Sequence, residues 1–459
     1  MGLCVLAGFA VEAGAQEPLR ATVSRVCGDG EIELEDGQRV RLQGLSLPAE
    51  AVRPKGARAD LRAFLEDRLL GRAVWVFSRT KTASDGDGLV GRVSLAEDGA
   101  CVNEQALYRG LAVFADLGRD ERGLDRLRAA SRQARRDRRG LFSRTSPRAF
   151  EEPPFLNGAV IGLHYKTERA RYTRQIDELA QAGFRHVSFL FPVFVQNVEA
   201  HKIQRSDPRT VSDRRLIETI RHAKSKGLSV MLLPIVLLHE FDEVEWRGTL
   251  RPKKRDLFWS EYELFLAHYL DIAEATGVEI FSVGSEFSSL ESDTAAWTRV
   301  IGNARGRFSG LLTYSVNWDH AHEPRFFGLL DIVGVTGYFS LTAERNPSRA
   351  QIEAAWRARG KELEALVGSL GKPVIFTEVG YASQDGINRD PWNYHMNPDR
   401  IDLDEQADCF AAFLAVSSEF TFLEGAYLYD YFGEGGEQDP SYSPRGKPAW
   451  KYWRLWAGR

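Results

Sequence analysis

The chain has 459 residues, of which 43% are hydrophobic, 27% charged and 11% aromatic, a balance that excludes a disordered polymer and fits a folded globular protein. No apolar run reaches the roughly 20 residues that a spanning helix needs, which excludes a helical membrane-embedded protein. The net charge of −4 excludes a general polyanion binder, yet it is unevenly spread. Residues 1–150 carry 25 Lys+Arg against 21 Asp+Glu and the remainder 35 against 43, an asymmetry that predicts two domains.

Residues 1–17 hold a short apolar stretch ending in Ala13-Gly14-Ala15, a small-x-small pattern like a signal-peptidase site. They read as a leader, implying a secreted or periplasmic protein, although no Lys or Arg precedes the apolar run; a frayed N-terminus is the plainer alternative. Four cysteines are too few for a disulfide scaffold. Cys27, Cys101 and Cys409 sit among apolar neighbours and read as buried thiols, with a Cys27–Cys101 bridge left open. No Cys/His spacing matches a zinc site, and no cofactor is expected.

Residues 18–145 predict a small β-barrel of oligonucleotide/oligosaccharide-binding type. Short alternating strands ATVSRV and EIELEDGQRVRLQGL, the latter turning at Asp36-Gly37, form antiparallel pairs. A helix near Lys55–Leu70, a strand AVWVFSRT, a strand through GRVSLAEDGACV and a basic helix from Leu124 to Arg139 complete the domain. The arginines of that last helix (Arg132, Arg135, Arg136, Arg138, Arg139) read as a solvated face or as a weak site for an anionic polymer.

The runs VCGDGEIELEDGQRVRLQGLSLPAE, GLVGRVSL, CVNEQALYRGLA and RRDRRGLF resemble the thermonuclease (staphylococcal nuclease-like) family. That resemblance implies phosphodiester hydrolysis with calcium held by carboxylates and two arginines on the phosphate. Arg41 and Arg92 match the arginines. Gly30 stands at the metal-binding aspartate, and Ser46, Pro48 and Ala49 replace an aspartate, a proline and a glutamate. Calcium takes six to eight oxygen ligands, so the barrel is expected to lack its metal site; a register slip that recruits Asp29 or Glu50 keeps a calcium-dependent nuclease as an alternative.

Residues 146–157 are proline-rich and read as a linker. From residue 158 to 459 eight apolar runs recur: AVIGLHY, HVSFLFPVFV, LSVMLLPIVLL, EIFSVGSEF, LLTYSVNW, DIVGVTGYF, KPVIFTEVGY and LEGAYLYDYF. Most are separated by amphipathic helical stretches, the pattern of parallel strands buried on both faces and of one (β/α)8 TIM barrel. No glycine-rich phosphate fingerprint follows any strand.

Chemistry in such barrels gathers at the carboxyl ends of the strands. There stand Glu286 on strand 4 and Glu378 on strand 7, amid Trp and Tyr. A pair of carboxyls in this setting suits glycoside cleavage, and structural salt bridges are the plainer reading. His164, Tyr165, His239 and Glu240 read as lining or solvated groups. Trp392 and Tyr394 are candidate outer stackers, and Asp319 and His320 lack partners that would suggest a metal.

The runs FSVGSEF, LLTYSVNWDHA, DIVGVTGYFSL and KPVIFTEVGYAS, the DEQA helix start and the tail YSPRGKPAWKYW resemble glycoside hydrolase family 113. This resemblance implies a clan of retaining glycosidases whose characterised members are β-1,4-mannanases. It implies Glu286 as acid/base, its pKa raised by the neighbouring charge and burial, and Glu378 as nucleophile. Tyr338 then bonds the nucleophile, while Asn317, Trp318, Trp246 and Arg247 bind sugar. The chain departs from the family at Ile235, where a histidine is usual, and at Thr336, where an aspartate is. Leu428, Tyr429 and Tyr431 replace tryptophans on the last strand, with Tyr429 retained as a sugar contact. The expected partner is a β-linked oligo- or polysaccharide; a non-catalytic glycan-binding protein is a further alternative.

Overall fold

In the computed structural model the described residues are 18–48, 55–78, 89–115, 124–143, 155–163, 169–205, 207–367, 370–395 and 397–459. They fall into two compact units, Met1–Ser146 and Pro147–Arg459. The expected leader, most of the expected linker, Ala49, Glu50, His164 and Tyr165 lie outside the described residues.

The first unit is a closed five-stranded barrel with strand order β1-β2-β3-β6-β5. Its strands are β1 (Leu19–Gly28), β2 (Glu31–Leu34), β3 (Arg39–Leu42), β5 (Ala73–Ser78) and β6 (Leu89–Leu95), while β4 (Gly44–Ser46) pairs separately with β7 (Val113–Ala115). Alternation drives closure: Val23, Ile32, Leu34, Val40, Leu42, Val74, Val76 and Val93 turn inward. Helices α1 (Ala57–Leu69), α2 (Val102–Tyr108) and α3 (Leu124–Arg136) accompany it. Two expectations are corrected here. The strand through GRVSLAEDGACV ends at Leu95, because Gly99 takes a left-handed turn (φ 72°) and the helix-forming run after Cys101 becomes α2. The basic helix stops at Arg136, with Arg138 left-handed just beyond.

The second unit is a closed barrel of eight parallel strands. They are β8 (Leu156–Gly162), β9 (His186–Val195), β10 (Ser229–Leu238), β11 (Ile280–Ser285), β12 (Leu311–Val316), β13 (Val333–Thr336), β14 (Val374–Gly380) and β15 (Leu423–Tyr429), each paired to the next and β15 closing on β8. The near-continuous apolar runs are buried almost throughout, as strands covered on both faces must be. Val160, Met231, Leu233, Ile280, Ile332, Ile375 and Tyr427 fill the interior. Gly158 is needed there, since a Cβ would lie 2.2 Å from the Tyr427 ring. The outer layer is α4 (Arg169–Gln181), α5 (Asp213–Ser225), α6 (Arg255–Thr276), α7 (Thr294–Arg307), α8 (Arg349–Val367), α9 (Leu403–Ser417) and α10 (Trp450–Ala457). Between β12 and β13 only a 3-10 turn, Phe327–Leu329, takes the place of a helix. No helix among the described residues is long and apolar enough to cross a membrane.

Asp271 on α6 and Arg307 on α7 form a buried ion pair in which one guanidinium nitrogen donates to both carboxylate oxygens at 2.9 Å. Removing one partner leaves an uncompensated buried charge. Asp271→Ala is expected to lower stability by about 3–5 kcal/mol in denaturant unfolding, and Asp271→Leu combined with Arg307→Met is expected to recover most of that loss.

Candidate active site

The two candidate glutamates meet at the carboxyl end of the eight-stranded barrel. Glu378 lies within β14, and Glu286 follows β11 directly; each is 5% exposed. The approach to Glu286 is irregular. Three steps along the chain from Ser282 to Ser285 run against two from Thr313 to Ser315, and Glu286 then takes a left-handed backbone (φ 53°) with its N–H bonded to Ser315 O at 2.8 Å. Such a conformation is unfavourable for a residue with a Cβ and persists only where neighbours enforce it.

Glu378 accepts a hydrogen bond of 2.8 Å from the Tyr338 hydroxyl through Oε2, whereas its Oε1 is buried without a partner. Burial first, and then the charge of Glu286, push Glu378 up to about 8, against the opposing pull of Tyr338 and Arg247. The Arg247 guanidinium touches the Glu286 carboxylate. Arg247 sits on a 3-10 turn, Arg247–Thr249, in the loop after β10. Trp246 caps this turn through reciprocal bonds with Thr249 at 3.0–3.1 Å and folds over Gly248, where a Cβ would come within 2.3 Å of its ring.

Tyr338, Tyr429 and Tyr442 pack edge-on around the Glu378 side of the pocket, with centroids 5.1–6.2 Å apart. The Tyr442 hydroxyl donates to Pro391 O at 2.6 Å and so holds the residue next to Trp392. Trp392, 44% exposed, stacks on Trp318 at 5.5 Å with a 26° interplanar angle. Asn317 Oδ1 accepts from the Trp318 N–H and from the Thr336 hydroxyl, which leaves its amide NH2 as the end for a ligand. Glu286, Glu378, Tyr338, Asn317, Trp318, Trp392 and Arg247 thus gather at one end of this unit.

Several motif residues prove to be scaffold. In the DEQA start, Glu405 accepts from the N–H groups of Gly386 and Asn388 at 2.6 and 3.0 Å, and Gln406 donates to Tyr381 O and Tyr442 O. Lys447 of the GKPAW tail donates to Ser383 Oγ and Ser441 O, each at 3.0 Å. His239 joins Asp207 and Arg209 in a loop cluster, and Glu240 accepts from Gln196. Sequence reasoning misses Asp430, whose charge also acts on Glu378 and which burial, then Asp439, pushes up to about 7. It also misses the buried Glu291. Their only signal is a carboxylate within or just after a run that otherwise reads as strand.

In the first unit, Gly30, Ser46 and Pro48 present no carboxylate where calcium ligands would stand, and Asp29 pairs with Arg58 at 2.8 Å. Among the described residues no group of three or more His, Cys, Asp or Glu could hold a metal. Arg41 lies 3.9 Å from Glu31, and Arg92 lies over the Phe77 ring. Cys27, Cys101 and Cys409 are free thiols. The side chains of Arg132, Arg135 and Arg136 lie outside the description.

Buried carboxyls at the ends of the fourth and seventh strands of a parallel eight-stranded barrel fit the class of glycoside-cleaving enzymes. The profile of Glycoside Hydrolase Family 113 matches residues 160–447. A solved GH113 β-1,4-mannanase in a complex is 24% identical, with a TM-score of 0.60 over 67% of this chain and 99% of that one. The GH113 β-mannanase AaManA from Alicyclobacillus acidocaldarius, in complex with ManMIm, is 27% identical, with a TM-score of 0.60 over 68% and 99%. A search of curated proteins finds no match. The chain belongs to glycoside hydrolase family 113, and it is a glycoside hydrolase.

A carboxyl whose folded pKa is raised binds more protons folded than unfolded between its ordinary value and about 8, so its contribution to stability falls as pH rises through that window. Glu378→Gln is therefore expected to melt higher than the wild type at pH 8, by on the order of 1–3 kcal/mol of stability, with the advantage shrinking towards pH 5. Calorimetry at the two pH values checks this.

Proposed function

We propose that the chain cleaves a β-1,4-linked mannan or a closely related β-linked polysaccharide with retention of anomeric configuration. The observation that carries this reading is the state of Glu378: one oxygen is held by Tyr338 and the other is buried without a partner, beside a second buried carboxyl. Glu378 Oε1 attacks the anomeric carbon, while Glu286 gives its proton to the departing glycosidic oxygen. Water then attacks the glycosyl-enzyme ester, losing a proton to Glu286, and Glu378 leaves as carboxylate. Positive charge developing at the anomeric carbon favours ionised Glu378, so the one proton retained by the pair is left to Glu286.

Mannan is supported by the solved GH113 β-mannanases that the barrel resembles. Trp318 and Trp392 supply a stacking face for sugar rings, Trp246, Asn317 and Tyr429 complete the contacts, and Arg247 holds Glu286. Cleavage is assigned to residues 158–459. Residues 18–145 serve as a thermonuclease-like barrel that has lost its metal chemistry and kept a binding or packing role. Residues 146–155 link the two, Leu156 and Asn157 already belonging to β8, and residues 1–17 are a leader for export towards a polymeric substrate.

Glu286→Gln and Glu378→Gln are each expected to lower turnover on β-1,4-mannan by at least about 10³-fold while leaving circular dichroism unchanged; full activity in either variant rejects its role. The kcat/KM profile reports the free enzyme. Below about pH 8 the buried pair shares a proton, and above it that proton is lost. An alkaline limb near pH 8 is therefore expected. Arg247→Ala removes a charge that favours the ionised form, so the limb moves to higher pH, which initial rates across pH 5–10 test.

A further inference from the structure

Behind the candidate acid/base lies a buried relay that the chemistry above does not use. The residue after Glu286, Phe287, donates its N–H to the Tyr314 hydroxyl at 2.8 Å, and that hydroxyl donates to Glu291 Oε1 at 2.7 Å. Tyr314 and Glu291 are fully buried. The other carboxylate oxygen, Glu291 Oε2, has no hydrogen-bond partner and lies 3.7 Å from His320 Nδ1, which has none either. Placing a carboxyl in such a position is costly unless its interaction is used. Burial, the largest influence, pushes Glu291 up to about 7, while the Tyr314 hydrogen bond draws it back down.

We propose that Glu291 is a positioning residue for the cleavage reaction, fixing the left-handed backbone of Glu286 through the Tyr314 hydroxyl and the Phe287 N–H. This inference rests on the reading of Glu286 as the general acid. The hydroxyl can accept from Phe287 in only one orientation once it donates to Glu291, so the carboxylate sets the direction of the whole chain of bonds. The backbone on either side of the Glu286 side chain is thereby tied, on one side through its own N–H to Ser315 O and on the other through Phe287 to Tyr314. The Phe287 ring is wedged against Tyr262 and Trp297 at 5.3 and 6.1 Å, which leaves no slack for the peptide to rotate. Gly284 fits beneath, since a Cβ there would come within 2.8 Å of both Tyr314 and Trp297.

The test compares manno-oligosaccharide, whose leaving group needs a proton, with 2,4-dinitrophenyl β-mannobioside in the presence of azide. There the phenolate leaves unprotonated and azide attacks the glycosyl-enzyme without a base. Tyr314→Phe and Glu291→Leu are expected to lower kcat on manno-oligosaccharide by about 10²-fold, with KM little changed, and to lose far less on the activated substrate with azide. Glu291→Gln, whose amide oxygen still accepts from Tyr314, is expected to restore most of the loss. Equal losses on both substrates, or none, overturn the inference. Glu286→Gln assayed alongside separates the two readings: if it lacks this selectivity the general-acid assignment falls, and if it alone shows it, only the role of Glu291 falls. Should the wild type cleave neither probe, the mannan reading falls, and a crystal structure of Tyr314→Phe decides: a Glu286 that keeps its left-handed backbone overturns the inference, and one that leaves it upholds the inference.

Discussion

Two carboxyl groups buried in one pocket beside a single touching guanidinium impose the main constraint on this barrel. Like charges in a dry site repel, and each carboxyl loses hydration, so the pair holds a proton or recruits a cation. The structure does both. Arg247 lies on Glu286, and Glu378 is pushed up to about 8. The rest of the pocket follows from keeping these groups in register. Arg247 can reach Glu286 only because the loop after β10 is folded tightly, with Trp246 closing over Gly248. Tyr338 can donate to Glu378 only because Tyr429 and Tyr442 wall its ring in place.

The same economy explains residues whose resemblance to a hydrolase family has no direct chemical content. Glu405 and Gln406 at the start of α9, and Lys447 near the end of the chain, spend their polar atoms on backbone groups and side chains of the loop after β14 and of the segment around Ser441–Tyr442. Those segments carry Trp392 and Tyr442. Loops at a barrel mouth are otherwise the least restrained parts of the fold, and buried polar anchors turn them into walls. A motif can therefore persist in sequence because it holds a surface in place at a distance from the reacting atoms.

The eight barrel strands are legible in the sequence because burial on both faces leaves long apolar runs that few other structures produce. The two candidate glutamates are legible for the complementary reason: each interrupts or ends such a run. Pairings between side chains are far less so. Nothing in the local pattern around Trp246-Arg247 tells that the guanidinium lands on Glu286 rather than on a ligand, because a loop's path is set by tertiary packing. The same holds for the proton affinity of Glu378, which depends on relative desolvation, and for Glu291, whose partner Tyr314 is 23 residues further along, on β12. In the first unit, α2 is missed because a hairpin-like Asp98-Gly99 turn leads into it and suggests another strand.

The departure from the family pattern at Thr336 bears on how polar groups are arranged around Glu378. Where an aspartate is usual, Thr336 offers a neutral hydroxyl, and that hydroxyl is occupied with Asn317 and the Val316 carbonyl. An acidic side chain instead follows β15: Asp430 is buried, its charge acts on Glu378, and Lys447 is the cation that counters it. A hydroxyl already bonded within the protein offers less to a ligand than a free carboxylate would, so the wall beside Asn317 and the wall beside Glu378 differ in what they can accept.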